Sequence, residues 1–298
     1  MFNFAIILFC LAAGLFFNHR QLVPKNSYKA INAWIINIAL PAMSFTYLPY
    51  LRWELSLVFA FIAPILVFIG SILFFYLLSK FVKLSTRNRV TLSLVAGFSN
   101  TSFVGFPLIT AYYGAEFIEI GILCDQMTFF LLSSLGVWMA VSTNTSSTKK
   151  VSFVGILGNI VCFPPFAAGL LAIGISSIVD MQITRPFFQQ LSQTVTPLAF
   201  FSIGLQLNLH FGHQLKYIFY ALSYILFLAP LLTWGLAQLF HLENNVSRIS
   251  IFEMAMPALV STSMVLEKYN LNANLGNAII GVSIFMGLIS TYFWYLLL

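Results

Sequence analysis

The sequence predicts an all-α polytopic membrane protein of ten transmembrane helices, arranged as two inverted five-helix repeats. Three observations carry this. Of 298 residues, 60% are hydrophobic and only 7% are charged, with a mean hydropathy of +0.93, whereas a soluble domain carries about 25% charged residues. The apolar residues fall into ten runs divided by short polar punctuation. Short sequence matches between the two halves recur in the same order.

The runs cover roughly 2–17, 30–49, 55–79, 90–112, 117–141, 151–176, 187–207, 216–239, 249–266 and 274–298. Most approach the ~20 residues that cross ~30 Å of hydrocarbon at about 1.5 Å per residue. Their length, and the absence of apolar/polar alternation, favours helices over a barrel. The first run lacks a basic n-region and a small-residue cleavage site, so it reads as a retained helix rather than a signal peptide. With its N-terminus outside, the odd-numbered loops hold Arg20, Lys25, Lys29, Lys80, Lys83, Arg87, Arg89, Lys149, Lys150, Lys216 and Lys268. Arg52, Arg185 and Arg248 lie on the other side. That bias is the positive-inside rule. It accounts for the net charge of +6 without a nucleic-acid partner. It also puts both termini on the non-cytoplasmic side of the inner membrane.

The second run carries Pro41 and the seventh carries Pro197. Leu11–Leu15 (LAAGL) is matched by Phe166–Leu170 (FAAGL), and Phe61–Leu66 (FIAPIL) by Phe227–Leu232 (FLAPLL). Spans one, two and three therefore match six, seven and eight. Five spans are an odd number, so the second half enters from the opposite side, as in many secondary transporters. The expected organisation is a first repeat over 1–141, a polar cytoplasmic linker over 142–150, and an inverted repeat over 151–298.

The fourth run is interrupted by Gly97-Phe-Ser-Asn-Thr-Ser-Phe-Val-Gly-Phe-Pro107, with Asn100 near the membrane midplane. Glycine weakens a helix, and Pro107 cannot donate to the carbonyl of Phe103. Ser99, Asn100, Thr101 and Ser102 would face lipid somewhere on a continuous helix, so an unwound segment is expected. The ninth run has its counterpart in Met256 and Pro257, the latter freeing the carbonyl of Glu253, with Ser261, Thr262 and Ser263 following. Paired interruptions are a sequence pointer to a transporter's binding site, where half-helix N-termini offer N–H groups to an anion. Proline kinks tolerated for packing are the alternative. The candidate binding residues are Asn100, Thr101, Ser102, Pro107, Met256, Pro257 and Ser261. The polar stretch Gln189–Thr196 in the seventh run lines the same cavity or marks a span entrance.

Glu253 and Asp125 are acids within spans, and an intramembrane carboxylate is a functional-site hypothesis by default. Glu253, and after it Asp125, are the candidates for proton coupling. The alternative is a structural acid bonded to serine, threonine or Gln126. Cys10, Cys124 and Cys162 lie in apolar runs and read as core or lipid-facing residues. Asn100, Asn144 and Asn245 begin Asn-x-Ser/Thr matches that read as chance. His19, His210, His213 and His241 lie in loops or at span ends, and His210/His213 alone is weak evidence for metal. No Asp-rich prenyl-phosphate motif, His-Glu-x-x-His or Gly-x-Ser-x-Gly motif is present, which argues against an intramembrane enzyme. No cofactor is expected.

Asn100-Thr-Ser-Phe-Val-Gly-Phe-Pro107 resembles the Asn-Thr-x-x-x-Gly-x-Pro element of the auxin efflux carrier family. Met256-Pro-Ala followed by Val265-Leu-Glu-Lys-Tyr269 resembles that family's C-terminal signature. Asn37-x-x-Leu-Pro-Ala42 and Ser202-Ile-Gly-Leu205 also fit, so the likeness runs along the whole chain. The resemblance implies broken fourth and ninth helices that cross at the midplane substrate site, and an elevator-like movement of a crossover domain against a scaffold. It implies a small organic anion as substrate, a mono- or dicarboxylate. The chain lacks the long central loop of the plant exporters and looks like a bacterial member. Expected partners are that anion, membrane lipid and coupling H+ (or Na+); a homodimer is among the expected assemblies. A sodium-coupled symporter of the related bile-acid type is the second reading, and a channel stands behind both.

Overall fold

In hydrocarbon the backbone must bond to itself, so apolar runs become helices. The computed structural model describes residues 2–143, 163–206 and 214–298, and these are helical without a named strand. Cys162, Asn144, Lys149, Lys150, His210, His213, residues 144–150 of the expected linker and the first part of the sixth run lie outside the described residues. The helical elements are α1 Phe2–His19, α2 Ser27–Tyr50, α3 Leu55–Phe81, α4 Thr86–Ala96, α5 Thr101–Tyr112, α6 Ala115–Thr143, α7 Pro164–Ser176, α8 Arg185–Ser192, α9 Val195–Gln206, α10 Leu215–Leu239, α11 Asn245–Met254, α12 Thr262–Lys268 and α13 Ala273–Leu297.

Six of these, α1, α2, α3, α6, α10 and α13, are long and apolar enough to cross a membrane. They coincide with the first, second, third, fifth, eighth and tenth apolar runs. The fourth run is divided into α4 and α5, and the ninth into α11 and α12. The seventh is also divided, between Ser192 and Val195, which its sequence marks only as a polar stretch.

Three prolines share a local solution. Pro41, Pro107 and Pro230 each follow a wide π-turn, over Ile35–Ala39, Thr101–Gly105 and Tyr224–Leu228 respectively. A proline lacks the N–H its helix needs and its ring crowds the carbonyl four residues back, and a wider turn relieves both. For Pro230 that carbonyl belongs to Leu226, which accepts a hydrogen bond from Trp294 Nε1 at 2.9 Å.

The chain forms two compact units that interleave along the sequence. Unit 1 comprises 1–54, 102–122 and 161–207; unit 2 comprises 55–101, 123–160 and 208–298. Each draws on both sequence halves, so compaction does not follow the boundary at 142–150.

In unit 1, α1 lies along α9. The approach needs glycine on both sides: a Cβ on Gly204 would stand 2.5 Å from the Leu11 carbonyl, and one on Gly14 would collide with that of Phe201. The glycines of LAAGL and Ser-Ile-Gly-Leu thus meet each other's backbones. Ser202 Oγ donates to Asn32 Oδ1 at 2.5 Å, and Trp34 Nε1 to Thr194 Oγ1 at 3.1 Å, joining α2 to α9 and its preceding turn.

In unit 2, α3 packs on α4, α10 and α11, and α13 packs on α4, α10 and α12. Tyr224 Oη donates to the Val67 carbonyl at 2.6 Å. Phe68 stacks on Phe98 with centroids 4.8 Å apart. The Arg87 guanidinium donates to the Leu271 carbonyl at 3.0 Å, and Asn272 Nδ2 to Asn88 Oδ1 at 2.9 Å, which ties α4 to the start of α13.

Candidate substrate and coupling site

The chain unwinds twice within unit 2, after α4 over Gly97–Asn100 and after α11 over Ala255–Ser261. The two extended pieces run antiparallel, with Ser99 opposite Ala258. The Asn100 N–H donates to the Pro257 carbonyl at 2.8 Å, and the Leu259 N–H to the Phe98 carbonyl at 2.9 Å. The Ala258 N–H donates to Ser283 Oγ of α13 at 3.0 Å. Each break therefore satisfies part of the other's backbone, as buried amides require.

Glycines admit the crossing. A Cβ on Gly97 would lie 2.5 Å from Ser71 Oγ and 2.7 Å from the Ser93 carbonyl. A Cβ on Gly287 would lie 3.1 Å from the ring of Pro257.

Three expectations are corrected. Thr101 and Ser102 are not unwound: they open α5 in a π-turn, and the break is confined to the four residues before them. The Glu253 carbonyl is not left free, because the Met256 N–H turns back to it at 3.2 Å. The first N–H groups of α12 are occupied as well, bonding to the carbonyls of Leu259, Val260 and Ser261. They are not open donors for an anion.

Asp125 and Glu253 are the buried charged residues among those described; no lysine, arginine or histidine is buried there. Thr101 Oγ1 donates to Asp125 Oδ1 at 2.6 Å, a short, charge-assisted geometry when the acid is ionised. Next to it, Cys124 Sγ approaches Ser250 Oγ at 3.7 Å, joining α6 to α11. Glu253 lies one turn beyond Ser250 on α11, the helix that Cys124, next to Asp125 on α6, touches. Both carboxylate oxygens of Glu253 are buried without a hydrogen-bond partner among the described residues.

Unit 2 thus contains Asn100, Thr101, Asp125, Glu253, Met256, Pro257 and Ser261, and Ser102 and Pro107 fall in unit 1. Ser102 is buried, and its Oγ has no hydrogen-bond partner among the described residues. Met256 and Pro257 are fully packed. Ser261 precedes α12 and makes no side-chain capping bond. Sequence reasoning missed Ser250 and Ser283, whereas Cys124 is buried, in keeping with its reading as a core residue. Ser250 had a signal, since it stands three residues before Glu253 on one helix face; Ser283 had none.

Apolar helices in this number, with two of them broken and crossed beside buried carboxylates, define a multi-pass membrane transporter built on discontinuous helices. The model of the membrane transport protein family matches residues 1–295, and the chain belongs to that family, the auxin efflux carriers. It is 24% identical over 286 residues to the uncharacterized transporter MJ1031 of Methanocaldococcus jannaschii, covering 91% of this chain and 89% of that one. It is 23% identical to an uncharacterized transporter of Methanothermobacter thermautotrophicus, over 97% of this chain and 95% of the relative. The uncharacterized transporter YfdV of Escherichia coli K12 is likewise 23% identical, over 97% and 94%.

Proposed function

We propose that this transporter is a secondary active carrier of a small organic anion, a mono- or dicarboxylate, coupled to protons and working in the inner membrane. The observation that carries this reading is the crossing at Asn100 and Pro257 with Asp125 and Glu253 buried in the same unit. Asn100 and Ser102 supply amide and hydroxyl donors to the anion, and Thr101, whose hydroxyl donates to Asp125, lines the site between them. Because no buried cation is present among the described residues, recognition by hydrogen bonds leaves the substrate's charge for a co-transported proton to offset. Glu253 is the carrier of that proton and Asp125 its neighbour.

The reading includes ten spans as two inverted repeats, 1–141 and 151–298, with both termini non-cytoplasmic. An elevator movement is the transport mode, a reading supported by the division of the chain into two compact units.

The test is uptake and counterflow of labelled mono- and dicarboxylates in proteoliposomes. A transported acid, with Asn100→Ala lowering its binding at least tenfold, supports the reading. A ligand bound equally well by Asn100→Ala removes the crossing as the site. Uptake that follows a sodium gradient and ignores a pH gradient replaces proton coupling with the sodium-coupled reading.

A further inference from the structure

We infer that unit 2 carries a binding site for an anionic phospholipid at the end of α3, where Tyr76, Lys80 and Arg89 converge. Residues 55–115, which include α3 and α4, contain four basic residues and no acid. Two of those cations share one ring: Lys80 Nζ lies 5.2 Å from the Tyr76 centroid, and the Arg89 guanidinium carbon 5.7 Å from the same centroid. Arg89 comes from α4, so the ring gathers cations from both sides of the turn over 82–85.

What selects a lipid over a soluble anion is the surface leading to this ring. Ile69, Leu73, Tyr76 and Lys80 follow one another at helical spacing, so they share a face of α3. Ile69 and Leu73 are each 56% exposed, and Tyr76 is 49% exposed. An acyl chain laid along Ile69 and Leu73 brings its phosphate to Lys80 and Arg89, with the tyrosine ring at headgroup depth. A phosphate or nucleic acid would use the cations and leave the apolar stripe idle.

The positive-inside rule places basic residues in loops but does not direct two of them onto one lipid-facing ring. The backbone around the site is held: Tyr217 Oη lies 3.4 Å from the Lys83 carbonyl, and Arg87 is bonded to the Leu271 carbonyl. Arg87 is thereby committed to the fold, and Lys80 and Arg89 are the headgroup ligands.

The test is native mass spectrometry of the full chain in detergent, offered phosphatidylglycerol, phosphatidylcholine of the same chains, or inorganic phosphate. The expected result is a one-to-one phosphatidylglycerol adduct formed at least tenfold more readily than the phosphatidylcholine adduct. Two cations near an anionic headgroup make a loss of about tenfold the expectation for Lys80→Gln with Arg89→Gln. Lys25→Gln with Lys29→Gln removes the same charge from exposed positions in unit 1 and should leave the adduct intact. Equal loss in both double variants, equal binding of phosphatidylcholine, or a phosphate adduct that competes with the lipid would each overturn the site. Tyr76→Leu keeps the apolar stripe and should weaken the adduct severalfold. If the Lys80/Arg89 double variant fails to fold, Lys80→Gln alone gives the same comparison with a smaller loss.

Discussion

The Asn100 N–H donates to the Pro257 carbonyl at 2.8 Å, across 157 residues of chain, and this bond joins two helix breaks. It explains why Pro257 stands where it does. Proline has no N–H to leave unsatisfied in the break, and its carbonyl accepts from the other one. Behind it, α13 presents a glycine: a Cβ at Gly287 would meet the proline ring at 3.1 Å.

Gly287→Val should therefore displace Pro257 and open the crossing. Overpacking of a buried site typically costs about 1–3 kcal/mol. The expected outcome is a chain that still inserts and purifies, with a lowered melting temperature and little or no uptake. Wild-type uptake by Gly287→Val would show that the position of Pro257 is unimportant to transport.

The location of this crossing was legible in the sequence, and its bonding was not. Gly97 through Asn100 and Pro257 announce breaks because glycine, consecutive polar side chains and proline each oppose a lipid-embedded helix. Asp125 and Glu253 stand out because charge is rare in apolar runs. Thr101 and Ser102 were misread because a π-turn lets polar residues stay helical while packed against protein. The partners Ser250 and Ser283 contact residues 126 and 25 positions away, and only the fold brings them together. The division of the seventh run has the same origin, since Thr194, in the turn between α8 and α9, takes the indole N–H of Trp34 from a distant helix.

Thr101 and Asp125 give a second prediction. The Thr101 hydroxyl donates to Asp125 Oδ1 at 2.6 Å in a buried setting. Hydrogen bonds to charged groups contribute about 1.5–3 kcal/mol. Thr101→Val should lower the denaturation midpoint accordingly, and Thr101→Ser should restore it. Equal stability of the valine variant would mean that Asp125 is satisfied without the threonine.

The third concerns a proline far from the crossing. Pro230 cannot donate to the Leu226 carbonyl four residues back, and Trp294 Nε1 does so at 2.9 Å. The indole is 1% exposed, so no water replaces it. Trp294→Phe keeps the aromatic packing and removes the donor; a loss of about 1–3 kcal/mol is expected for the unsatisfied carbonyl. Combining it with Pro230→Ala, which restores a backbone N–H, should recover part of that loss. A strictly additive double variant would sever the link between the two residues.

Glu253 provides the fourth. Its two carboxylate oxygens are buried without a hydrogen-bond partner among the described residues. A structural acid would be expected to have donors, because a buried carboxylate without them destabilises the fold. A carboxylate that must take up and release a proton cannot be held permanently ionised by strong donors. Glu253→Gln keeps the shape and removes the titration. It should preserve or raise stability, retain exchange of labelled for unlabelled acid, and abolish uptake driven by a pH gradient. Asp125→Asn separates the two acids: if Asp125 only steadies Thr101, pH-driven uptake survives in that variant at reduced stability. Gradient-driven uptake by Glu253→Gln equal to the parent would leave Glu253 without a part in coupling and transfer that role to Asp125.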